Sequence, residues 1–264
     1  MAGGRPLLEG EDGPVVILNE RGRSPILLVC EHAGRRIPRQ LGTLGLAEAE
    51  LERHIAWDIG AESLARLLSE RLDAALVMQR FSRLVYDCNR PPEAADAMPV
   101  LSESTLIPGN RDLTQAARDA RIEAIYRPFH AAVARLLDAR QTTVLVTVHS
   151  FTPVYKGVRR SLDLGILHDS DSRFADRVLR VLEAESDLTV RRNEPYGPQD
   201  GVTHTLILHA LPRKLRNVML EIRNDLIADP PGQRRMAERL ARRLGEALAG
   251  LEGERPAAKA RNFR

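Results

Sequence analysis

Five apolar runs in this chain close on residues that can do chemistry. "ILLVC" runs into Glu31-His32, and "TVLVTVHS" ends in His149-Ser150. "RLVYDC" carries Asp87 and leads to Asn89-Arg90, and "NVMLEI" holds Glu221 just before Arg223-Asn224-Asp225. The fifth, "LDLGIL", is followed by His168-Asp169. Open parallel sheets bind ligands beyond the carboxyl ends of their strands, so neighbouring strands of this kind would converge on one cleft. A polar residue at a single strand end is ordinarily a cap or a turn; five carrying His, Glu, Asp, Asn and Arg call for another reason. Imidazole and carboxylate from separate strands form the donor set of a catalytic zinc that keeps one position for water. Such an ion lowers the pKa of its water towards ~7 and polarises a carbonyl. A carboxylate outside the coordination shell then serves as general base. Asn beside Arg offers a fork for a substrate carboxylate. The expected chemistry is metal-assisted hydrolysis of an amide next to a carboxylate.

The elements that must position these groups alternate along the chain. "PILLVC", "AALVMQ", "RLVYDC", "TVLVTVHS", "LDLGILHD" and "NVMLEIRND" read as short buried strands. Helical spacing runs through "LAEAELERHIAWDIGAESLARLLSERL", with Ile55, Ile59, Leu64 and Leu68 on one stripe. It returns in "DLTQAARDARIEAIYRPFHAAVARLLDAR", where Pro128 is expected to kink the helix, and in "DSRFADRVLRVLEAES". The last helix opens on Pro230-Pro231. Strands and helices in this order predict a three-layer α/β/α fold around a mostly parallel, or mixed, central sheet. Residues 14–253 read as one domain between a flexible leader, 1–13, and a flexible tail, 254–264.

Composition narrows the class. The 264 residues carry a net charge of +3 from scattered arginines, without a basic block, and aromatics are only 4%. Neither a nucleic-acid surface nor a base-stacking platform is expected. No apolar stretch reaches the ~20 residues needed to cross a bilayer, and the N-terminus lacks a signal-peptide pattern. Cys30 and Cys88 lie outside any CxxC motif and read as reduced core thiols. A cytoplasmic enzyme of a small carboxylate substrate is the expectation, with no nucleic-acid or membrane partner, and a homo-oligomer is compatible with it.

The stretches "CEHAGRRIP", "HIAWDIGA", "FSRLVYDCNRPP", "VTVHSFTPVYKG", "RRNEPYGPQDGVTHTLILHA" and "NVMLEIRNDLI" resemble the N-formylglutamate amidohydrolase family, in order, from about residue 15 to 250. The resemblance implies hydrolysis of N-formyl-L-glutamate to formate and glutamate, the last step of one route of histidine degradation. It also implies one divalent metal, zinc, and a fold distantly similar to zinc carboxypeptidases and acylamino-acid deacylases. By that likeness, His149 in "HSF" supplies a metal ligand and Glu221 the general base. Asn89 and Arg90, after Asp87, hold the substrate carboxylate.

One departure matters. The relatives carry His-x-x-Glu after the first strand, and here the third residue after His32 is Arg35. Adjacent Glu31 and His32 would point to opposite faces of an extended strand. They can face one ion only if the chain has already turned, which Ala33-Gly34 permit. Asp58 is the candidate replacement carboxylate, although it also sits four residues from His54 on a helical face. The expected ligand set is therefore Glu31, His32, Asp58 and His149. Ser150, His204 and Arg223 join Asn89 and Arg90 as substrate-binding candidates. His209 reads as structural, and Tyr196 as part of a loop that either closes over substrate or forms a plain turn. Two alternatives stay open: a deacylase of another N-acyl amino acid, and a non-catalytic carboxylate binder.

Overall fold

The computed structural model describes residues 6–142 and 144–252. The first half of the chain contains β1 (Val15–Leu18), β2 (Ile26–Cys30), α1 (Glu48–Glu52), α2 (Ala61–Leu72), β3 (Ala75–Gln79), β4 (Leu101–Ser102), β5 (Thr105–Leu106), α3 (Gln115–Arg121) and α4 (Arg127–Ala139). The second half contains β6 (Val144–Phe151), β7 (Val154–Tyr155), β8 (Val158–Arg159), β9 (Leu164–Leu167), α5 (Arg173–Leu182), β10 (Val190–Arg192), β11 (Arg216–Arg223) and α6 (Pro230–Glu252).

Seven strands form one sheet in the order β1-β3-β2-β6-β11-β9-β10. Its centre, β3-β2-β6-β11, is parallel, while β1 and β9 run antiparallel to their inner neighbours. Both faces of the sheet are covered. Leu28 and Cys30 pack with Leu64 and Leu68 of α2 and Leu240 and Leu244 of α6. Leu27 and Val29 face the other way, into a cluster with Phe129 and Val133 of α4. Strands apolar at every position are what two covered faces demand. Truncating one such leucine to alanine costs roughly 2–5 kcal/mol.

Several expectations change in ways that shape the site. The helix expected through residues 46–72 breaks between α1 and α2, and residues 53–60 become a loop. Gly60 marks the break: its φ is +81°, and a Cβ there would stand 2.3 Å from the Ile227 carbonyl oxygen. "RLVYDC" is not a strand. Both edges of β3 are already occupied, by β1 and β2, so this segment satisfies its backbone through side chains instead. Asn110 Nδ2 donates to the Leu84 carbonyl at 2.8 Å and Arg121 Nη1 to that of Val85 at 3.1 Å.

The antiparallel course of β9 carries His168-Asp169 to the end of the sheet away from Glu221, so this fifth run does not join the cleft. Just before Pro128, where a kink is expected, a wide π-type turn at Ile122–Tyr126 links α3 to α4. Widening there accommodates the missing proline N–H. Within residues 6–13, part of the expected leader, Leu7 is buried and Glu11 accepts the Arg39 N–H at 2.8 Å, while Pro6, Glu9, Gly10, Asp12 and Gly13 are exposed. Residues 1–5 and the expected tail, 254–264, lie outside the described residues. Among the described residues no helix is long and apolar enough to cross a membrane.

Candidate metal and active site

Register brings the chemistry together. β11 runs alongside β6 with Glu221 level with His149 and Ile222 level with Ser150. β2 pairs with β6 as far as Val29 opposite Thr147, so two residues further on Glu31 comes level with His149. The chain turns immediately after Cys30. Gly34 makes that turn possible, because a Cβ there would stand 1.8 Å from the Arg80 carbonyl oxygen. The turn resolves the adjacent-pair problem: Glu31 reaches His149, while His32 reaches two other carboxylates.

Asp58 is the hub. One of its oxygens, Oδ2, lies 3.0 Å from His149 Nδ1 and 3.4 Å from His32 Nδ1. The Ser150 N–H also donates to it, at 3.2 Å. The other oxygen, Oδ1, lies 3.1 Å from Arg83 Nη1. Behind each imidazole stands a further carboxylate: Glu31 Oε2 is 3.1 Å from His149 Nε2, and Asp87 Oδ1 is 2.7 Å from His32 Nε2. Candidate donor atoms of His32, Asp58 and His149 all lie within 4.8 Å of one another, and all three residues are buried.

The donor set fits a zinc-like ion. Bonds of about 2.0–2.2 Å at tetrahedral angles place ligand atoms roughly 3.3–3.5 Å apart, close to the 3.0 and 3.4 Å here. Carboxylates behind both imidazoles are the usual outer partners of metal-ligating histidines. Buried atoms without an aligned hydrogen-bond partner lie around this set rather than in it: Asp58 Oδ1, Glu221 Oε2 and, on the Nε2 side of the His149 ring, both Glu31 oxygens and His149 Nε2. Three carboxylates around two imidazoles make a pocket suited to added positive charge. Glu31, also expected among the ligands, faces His149 Nε2, the ring nitrogen opposite the one that faces Asp58.

The electrostatics follow from this crowding. Burial disfavours charge on Asp58, but His32 and Arg83 outweigh it and hold the carboxyl well below its ordinary range. Burial also opposes charge on His32 and His149, yet their carboxylate neighbours raise both imidazoles above the usual value. Glu221 behaves differently. Burial dominates and pushes it up to about 7, with His149 opposing.

The cleft in front of these groups measures about 380 Å³ and is lined by His32, Asp58, Asp87, Asn89, Arg90, His149, Ser150, Tyr196 and Glu221, among others. Asn89 reaches it with its amide committed: Nδ2 donates to the Val202 carbonyl at 2.5 Å, and Oδ1 accepts the Thr205 N–H at 3.1 Å. Arg90 pairs with Asp96 at 2.7 Å and donates to the Gly201 carbonyl at 2.9 Å. The Ser150 hydroxyl donates to the Ile59 carbonyl at 2.9 Å, helping to fix the Asp58 loop.

Two expected residues are not brought to the cleft. Arg223 turns aside to Asp163 and Asp225, each at 2.7 Å. His204 joins Tyr126, whose hydroxyl lies 2.9 Å from its Nε2, in a cluster with His130 and His209. Arg83 lies in "FSRLVYDCNRPP" with nothing in its spacing to mark it. Its role depends on a loop crossing, with donation to the Ile55 carbonyl at 3.1 Å, that spacing does not reveal.

A three-layer α/β/α fold gathers imidazoles, carboxylates and a buried glutamate at the strand ends of its sheet, a donor set suited to hydrolysis. The chain belongs to the N-formylglutamate amidohydrolase family, whose model matches residues 24–228. It is therefore an enzyme that hydrolyses an amide bond. It is 56% identical to the gene product Atu2144 from Agrobacterium tumefaciens, over 94% of this chain and 100% of that one, with a TM-score of 0.91. An N-formylglutamate amidohydrolase from Ralstonia eutropha JMP134 shares the fold at 20% identity and a TM-score of 0.65, over 92% of this chain and 100% of that one. No curated protein matches the sequence.

Proposed function

We propose that this enzyme hydrolyses N-formyl-L-glutamate to formate and glutamate with one zinc ion held by His32, Asp58 and His149. The observation that carries the reading is the approach of two imidazole Nδ1 atoms to one Asp58 oxygen, at 3.0 and 3.4 Å, beside a buried Glu221. A divalent ion bound there supplies Lewis acidity toward the formyl oxygen and an acidified water. The remaining work belongs to the chain. Glu221 takes a proton from the attacking water and returns it to the departing amine nitrogen, consistent with a carboxyl raised to about 7. Glu31 and Asp87 hold the two imidazoles by Nε2, so that both Nδ1 atoms face Asp58 and would be the ones to hold a metal ion. Arg83 and the Ser150 N–H fix the Asp58 carboxylate. Family membership supports the amide-bond chemistry.

The test is formate and glutamate release from N-formyl-L-glutamate by the zinc-loaded enzyme, alongside N-acetyl and larger N-acyl glutamates. Equimolar formate and glutamate, with slower release from the larger acyl groups, is the expected result. Turnover confined to another acyl group would replace the substrate while keeping the hydrolase.

A further inference from the structure

The arginines around the strand ends are not equivalent. Arg83 is paired with Asp58 at 3.1 Å, Arg90 with Asp96 at 2.7 Å, and Arg223 with Asp163 and Asp225 at 2.7 Å. Arg160 is different. Among the described residues no carboxylate stands within ion-pair distance of it; its polar contacts are the Tyr196 hydroxyl at 2.9 Å and the Thr152 carbonyl at 3.3 Å. Its guanidinium carbon lies 4.7 Å from the Tyr155 ring centre, 5.0 Å from that of Tyr196 and 5.5 Å from that of Phe151.

Three rings pack against the guanidinium, and beyond the Thr152 and Tyr196 contacts Nη1 and Nη2 each keep one N–H and Nε keeps its own, enough to bind a planar anion through two parallel hydrogen bonds. Tyr155 and Tyr196 line the same cleft as His149 and Glu221. A half-buried cation preorganised in this way, without an acid of its own, is suited to a ligand that brings one. Arg90 is the poorer candidate, because an arriving carboxylate would have to displace Asp96.

We propose that Arg160, clamped by Tyr155, Tyr196 and Phe151, is the carboxylate subsite of this enzyme and sets its preference for an anionic N-acyl amino acid. The inference deepens the proposed reaction and rests on it for the substrate's orientation. The carboxylate it reads can be the one beside the amide nitrogen or the one on the side chain. Both present the same chemistry, and the experiment separates them.

The experiment compares wild type with Arg160→Gln and Arg160→Lys in two assays. Calorimetric binding of glutarate needs no turnover. Steady-state kinetics use N-formyl-L-glutamate, N-formyl-L-glutamine and N-formyl-L-isoglutamine. Loss of a charged bidentate contact is expected to weaken glutarate binding and raise KM for N-formyl-L-glutamate by about 10- to 100-fold, with kcat little changed. Lysine restores only part of the loss. The KM penalty vanishes with whichever amide analogue lacks the carboxylate that Arg160 reads, which identifies that carboxylate. Unchanged glutarate affinity and unchanged KM in both variants would overturn the subsite while leaving the reaction intact. Arg160-dependent glutarate binding by an enzyme that releases no formate would sustain the subsite and overturn the reaction instead.

Discussion

Glu31 and His149 meet at 3.1 Å, carboxylate oxygen to Nε2, and the other nitrogen of that ring faces Asp58 at 3.0 Å. One imidazole is thus held between two buried acids. Glu31 does for His149 what Asp87, at 2.7 Å, does for His32. In this account both acids act through the imidazoles. Glu31→Gln and Asp87→Asn are each expected to weaken zinc affinity by about 10- to 100-fold, with kcat recovering at saturating zinc. Competition against a fluorescent chelator measures the first quantity. Total loss of binding in Glu31→Gln would return Glu31 to the ligands.

Glu221 is expected to separate chemistry from metal binding. Glu221→Gln keeps the shape of the side chain but cannot take up a proton, so kcat is expected to fall about 10²- to 10⁴-fold. Zinc content measured by atomic absorption should match wild type. Activity within a few-fold of wild type would remove Glu221 from the proton path.

The histidine pair behind the cleft is expected to contribute to acid instability. His130 Nε2 donates to the Cys88 carbonyl at 2.9 Å, so its Nδ1 must accept, and His209 Nε2 donates to it at 2.8 Å. Burial lowers His130 to about 3 and His209 to about 4. Below the unfolded value of about 6.5 the unfolded chain binds protons that the folded chain refuses. The pair therefore costs no stability above about pH 6.5, and stability falls as pH drops from there towards about 3. Urea midpoints across this range should show a shallower slope in a His130→Gln, His209→Gln double variant. An identical slope would mean that other groups control the acid limb.

Arg121 ties the loops that carry the site. It is buried, donating to the Val85 carbonyl at 3.1 Å, Asn110 Oδ1 at 2.6 Å and the Gly109 carbonyl at 3.1 Å. Arg121→Met leaves these acceptors unpaired. A loss of about 3 kcal/mol is expected, lowering the melting midpoint by roughly 6–12 °C. A shift below about 2 °C would show that water or a rearranged loop replaces the guanidinium.

The sequence made the parallel centre of the sheet legible because its strands are buried on both faces and so read as unbroken apolar runs. Glu221 and His149 were legible for the same reason: charge inside such a run has to answer for itself. Loops were harder. Asp58 and Asp87 were noticed, but within a continuous helix and a strand, because apolar residues such as Ile55 and Val85 keep a period even where the chain leaves regular structure. What broke the pattern was tertiary: Gly60 pressed against Ile227, and the carbonyls of residues 84 and 85 satisfied by Asn110 and Arg121. Arg160 was invisible for a related reason. Its distinction is the absence of an acid partner in space, and nothing in "YKGVRRSLDLG" records that.

The measurement that tests the central claim most directly is metal content of the purified protein with formate release from N-formyl-L-glutamate, before and after chelation. The account predicts about one zinc per chain, matching a single three-residue donor set, with formate release abolished by chelation and restored by added zinc. Undiminished formate release from protein stripped of metal would contradict it.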